Sequence, residues 1–209
     1  MLFRSWRKNN VSAYSIEKNP YTKNSFVCVG SPKNSDDPYG NYFFTLNAKG
    51  ENSNLVKINN EYFSQLSFYF NDGEVFINTD DYLYSFRNNK KIDSTDRRVI
   101  FLKKDTWMNN QEYEENRNTS GMLFSNRAFK YKNYGNCILN LVQYDRANYN
   151  KGFVEIISLN DKKIIDRLQL PYDSEMSPSI EDIDKNGKLD LLINCRDGNL
   201  YCYDLGARQ

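Results

Sequence analysis

The sequence predicts an all-β protein built from about four repeats of one antiparallel hairpin, and three observations carry that expectation. Short apolar or aromatic runs alternate with clusters of Asn, Asp, Gly and Lys, and no stretch of helix length shows a 3.6-residue apolar period. The 16 Tyr and 13 Phe among 209 residues favour pleated, half-buried surfaces, and they supply apolar area that a mean hydropathy of −0.78 understates. Four runs of the same character recur: FVCV (residues 26–29), VFI (75–77), ILNL (138–141) and LLI (191–193), whose starts lie 49, 63 and 53 residues apart.

Along the chain, each core run is followed by a second strand: YFFTL (42–46), YLYSF (82–86), FVEII (153–157) and LYCY (200–203). Residues 11–16, 62–70, 122–131 and 177–183 read as inner strands before each core run, and 54–58, 99–103 and 163–168 as outer strands after each pair. The fourth repeat then lacks an outer strand, and residues 2–7 are left to fill its place. One domain over 1–209 follows, with repeats at about 11–60, 61–104, 121–170 and 175–205 plus 2–7. An uncovered last edge would invite pairing with another chain, so an open half-ring that completes itself in a dimer or on a partner protein is the alternative to closure by residues 2–7. The connections 31–41 and 145–152 and the polar insertion 105–120 are long, and long loops on a rigid scaffold are where binding tends to reside. Trp107 with Tyr113, and Tyr39 with Tyr149, are accordingly candidate ligand-binding aromatics, against the plainer reading that they cover strand surfaces.

The most informative stretch is DIDKNGKLD, which places Asp182, Asp184, Asn186 and Asp190 at loop positions 1, 3, 5 and 9, with Gly187 at 6. Oxygen donors on alternate residues of a curled loop converge on one point. Lys188 can add its backbone carbonyl, and Ca²⁺ accepts such an all-oxygen shell. An EF-hand is excluded, because position 12 is Ile193 inside an apolar run where a bidentate Glu and a helix would be needed. An Asx-rich turn that binds nothing is the competing account. Asp36 and Asp37 near Asn34 lack this spacing and read as a solvated loop.

On these residues the segment 179–204, SIEDIDKNGKLDLLINCRDGNLYCYD, resembles the FG-GAP/VCBS repeat of integrin-type β-propellers, in which a strand, a calcium loop and two further strands form a blade. Its second half, DGNLYCYDL, also resembles the blade hairpin of quinoprotein-type propellers. The resemblance covers 26 of 209 residues, and no literal FG…GAP signature is present. It implies a β-propeller of about four four-stranded blades, a structural Ca²⁺ rather than a catalytic one, and an extracellular or surface-exposed location.

Composition narrows the function. Lys and Arg number 28 against 27 Asp and Glu, interspersed to a net charge of +1, so nothing favours nucleic acid or an anionic membrane as partner. No window reaches 18 consecutive apolar residues, and residues 1–10 have no apolar run of signal-peptide length. The absence of His removes Ser-His-Asp and Cys-His catalysis and the HExxH zinc site. Cys28, Cys137, Cys195 and Cys202 are too few for a disulfide scaffold. If Asp197-Gly198 is a two-residue turn, Cys195 and Cys202 become diagonal neighbours on one face, and buried reduced thiols are favoured over a bridge. The leading function is a non-catalytic, calcium-stabilised β-propeller that binds a protein or glycan through its long loops. The alternatives are a polysaccharide-acting lyase or hydrolase of propeller type, and a structural subunit of a larger assembly.

Overall fold

The computed structural model of the protein describes residues 11–32, 41–53, 55–58, 66–78, 82–87, 90–96, 122–142, 152–174 and 176–208. Among these the chain is all strand and turn, and it divides into two compact units: Met1–Thr79 with Tyr84–Ser94, and Asp80–Leu83 with Thr95–Gln209.

The first unit carries two sheets. One runs β1 (Val11–Lys18), β2 (Ser25–Pro32), β3 (Asn41–Asn47), β4 (Val56–Ile58), each strand antiparallel to the next. The other runs β5 (Phe68–Asn71), β6 (Glu74–Asn78), β7 (Tyr82–Arg87), β8 (Lys90–Asp96). The β5–β6 link is Asp72-Gly73 with φ of 46° and 79°, the doubly left-handed turn whose twist matches that of the strands it joins. Strand β3 places successive rings on opposite faces. Phe44 joins Cys28 and Leu46 in one apolar cluster, while Phe43 stacks on Phe86 of β7 with ring centroids 4.2 Å apart. Burial on both faces explains why these strands read as continuous apolar runs rather than as an alternation.

The second unit carries a five-stranded sheet in which β9 (Met122–Phe124) and β10 (Phe129–Lys130) both pair with β11 (Asn136–Val142), followed by β12 (Phe153–Ser158) and β13 (Lys163–Gln169). A three-stranded sheet follows: β14 (Ser179–Glu181), β15 (Lys188–Asn194), β16 (Leu200–Arg208). The two pack through one core, in which Leu139, Leu141, Val154 and Ile156 meet Ile180, Leu189, Leu191 and Ile193. Full burial of one such side chain is worth about 1.5–3 kcal/mol. Strand β16 keeps the half-solvated alternation: Tyr201, Tyr203 and Leu205 lie against that core, while Leu200, Cys202 and Asp204 face outward.

The four core runs and their partners thus lie in β2, β6, β11, β15 and in β3, β7, β12, β16. Four elements differ from expectation. Residues 90–96, to which the sequence assigns no strand, form β8, a polar strand that pairs through backbone groups regardless of side-chain hydropathy; the expected outer strand 99–103 lies outside the described residues. The expected inner strand 122–131 is broken at residues 125–128, where Ser125 Oγ accepts the Leu139 amide at 3.0 Å and donates to the Arg127 carbonyl at 3.0 Å. Strand β16 runs on to Arg208 through a bulge that leaves Leu205 and Gly206 without partners between the Asp190–Asp204 and Leu189–Ala207 pairs, with Gly206 at φ 61°.

The β15–β16 turn has three residues rather than two, because Cys195 and Asn199 close it with Gly198 at φ 81°. One extra residue shifts the pairing by one, so Leu192 rather than Ile193 stands opposite Cys202. Cys195 is therefore buried on the core face and Cys202 exposed on the other, and all four cysteines are free thiols. Residues 2–7, most of the loops 31–41 and 145–152, and the insertion 105–120 lie outside the described residues, and with them Tyr39, Trp107, Tyr113 and Tyr149.

Candidate metal site

The loop between β14 and β15 is built by its own polar side chains. Asp182 accepts the backbone amides of Asn186 at 3.0 Å and Gly187 at 3.0 Å, one on each carboxylate oxygen. Asp184 accepts the Asn186 amide at 3.1 Å and the Asn186 Nδ2 at 2.8 Å, and Asn186 Oδ1 accepts the Lys188 amide at 2.7 Å. To present these amides inward the chain turns left-handed twice, at Lys185 (φ 59°) and Gly187 (φ 84°). A Cβ at Gly187 would meet nothing within 4 Å, so glycine is needed there for its backbone freedom and not for space.

Asp190 arrives from the strand. It is buried at 6% exposure, sits between Glu181 of β14 and Asp204 of β16, and its Oδ2 accepts the Ile183 amide at 3.2 Å. One oxygen from each of Asp182, Asp184 and Asp190 lies within 4.8 Å of the others. Two oxygens that share a Ca²⁺ at about 2.4 Å are at most about 4.8 Å apart, so the spacing suits a common ion. Each carboxylate oxygen that accepts one amide retains a second lone pair, so these hydrogen bonds do not consume the donor set. The chemistry is that of a hard cation with oxygen ligands, and Asn186 serves in the structure as the brace of Asp184. Lys188 opens β15, and its side chain reaches Asp204 at 3.4 Å.

The surrounding electrostatics agree with a concentration of negative charge. The Cys202 thiol is held above its usual range by desolvation and by the carboxylates of Asp190, Asp184 and Asp204, which disfavour the thiolate. Asp204 is held below the usual carboxylate range chiefly by the Gly206 amide it accepts at 2.6 Å, opposed by desolvation and assisted by Lys188.

A second polar constellation escaped the sequence reading. Glu155 of β12 is fully buried; it pairs with Arg167 of β13 at 2.7 Å and accepts Asn140 Nδ2 of β11 at 3.1 Å. The Arg167 guanidinium also lies over the Phe153 ring, 4.2 Å from its centroid. The letters were present, as Asn140 in NCILNLV, Glu155 in FVEIIS and Arg167 in KIIDRLQ, and the register sets the three directly across from one another.

The fold has solved counterparts. BBS1N, determined in complex with ARL6DN in lead-soaked and mercury-soaked crystals, matches 96% of this chain with TM-score 0.54 in both, at 11% and 10% identity. The Dos1 propeller matches 96% with TM-score 0.50 at 9% identity. The fold is of the β-propeller kind. The chain spans 56%, 57% and 60% of those chains' lengths, little more than half of each. No family model matches the chain, and no curated protein matches it, so the FG-GAP/VCBS resemblance rests on residues 179–204 alone.

Proposed function

We propose that the protein is a non-catalytic interaction module of the β-propeller kind that engages a protein partner, and that Asp182, Asp184 and Asp190 hold Ca²⁺ as a structural ion in its last sheet. The fold carries the first part of this reading: a chain of the same fold, BBS1N, was solved in complex with ARL6DN. The second part is supported by the approach of three carboxylates to within 4.8 Å across a loop whose backbone is already turned toward them. Protein isolated from its native source is expected to elute with a protein partner in fixed stoichiometry and to release no reducing ends from a panel of polysaccharides. Turnover proportional to protein concentration would replace this reading with the polysaccharide-acting one.

Ca²⁺ bound only to the folded chain should add RT ln(1 + [Ca²⁺]/Kd), about 2.7 kcal/mol at a hundredfold excess over Kd. Melting followed by circular dichroism should accordingly show a lower Tm in EDTA and recovery with added Ca²⁺. Asp184→Ala should abolish the difference. Lys185→Ala should preserve it, since Lys185 is exposed and supplies no carboxylate. Identical melting curves with EDTA and with Ca²⁺ would leave the loop as a hydrogen-bonded turn.

The last sheet has three strands where the two sheets of the first unit have four, so β16 is an edge among the described residues. We propose that residues 2–7 pair with it and close the array. Removing residues 1–8 is then expected to lower Tm by roughly 4–8 °C, the shift that about 2 kcal/mol produces in a chain of this size, and to promote association through the freed edge. A truncated protein that melts with the parent and stays monomeric in light scattering rules out the clasp.

A further inference from the structure

We draw no further inference here: the strongest candidate, the outward face of the three-stranded sheet β14–β16, where Leu192 is half-buried and Leu200 and Cys202 are exposed, carries none because nothing in the structure shows what covers it.

Discussion

Glu155→Ala is expected to cost about 3–5 kcal/mol, the largest loss of any single substitution considered for this chain. The reason is the burial of what remains. Glu155 is fully buried, and the Arg167 side chain it holds at 2.7 Å is only 16% exposed, so removing the carboxylate takes a close charged partner from a largely desolvated guanidinium and leaves Asn140 Nδ2 without that acceptor. Glu155→Gln keeps an acceptor for Asn140 but not the charge, and should fall between Ala and the parent. Replacing both partners, as Glu155→Leu with Arg167→Met, should cost less than the sum of the two single changes, because neither charge is then left alone. Urea unfolding of the four proteins in the cycle measures this directly. A loss under about 1 kcal/mol for Glu155→Ala, or simple additivity in the cycle, would show that the pair contributes little.

Alkaline pH should undermine the fold through two thiols. Cys28 and Cys137 are fully buried, and burial pushes each up from 9.0 to about 12, with Asp161 adding to the effect at Cys137. In the unfolded chain these thiols ionise near pH 9, while in the folded chain they stay neutral to about pH 12. The stabilisation is therefore fully present below pH 9 and is lost as pH rises from 9 to 12, at up to roughly 1.4 kcal/mol per pH unit for each thiol. Cys28→Ala and Cys137→Ala should each lower stability at neutral pH through the lost packing. Each should also flatten the fall of stability between pH 9 and 12 by about that slope. If both variants follow the parent's pH dependence, the alkaline loss belongs to other groups.

What was legible in the sequence follows from how each element is held. FVCV, VFI, ILNL and LLI could be found because their strands are covered on one or both faces, which makes burial visible as an unbroken apolar run. The carboxylate loop could be found because its pattern lies in spacing along the chain, and the structure sets one oxygen each of Asp182, Asp184 and Asp190 within 4.8 Å of the others. The side of the sheet that Cys202 faces could not. It depends on whether Arg196 belongs to strand or turn, a difference of one residue set by the left-handed Gly198, and both choices fit the letters RDG. Strand β8, KKIDSTD, was hidden because its pairing is a backbone property that leaves little trace in hydropathy. The Glu155 pair was hidden for the opposite reason. A lone acid in an apolar run reads as an exception until the register places Arg167 and Asn140 beside it.

The break between β9 and β10 also affects how the second unit comes apart. With residues 126–128 outside the ladder, Asn126 can turn its Oδ1 to the Ile180 amide of β14 at 3.0 Å, and the neighbouring Arg127 stands 3.9 Å from Glu181. One sheet thus supplies a side-chain acceptor for a backbone amide of the next, at a buried residue of the core they share. Ile180 cannot expose that amide without either sliding the two sheets apart or losing the bond outright. Opening of the last sheet is therefore expected to be coupled to that of its neighbour through this bond and the shared core.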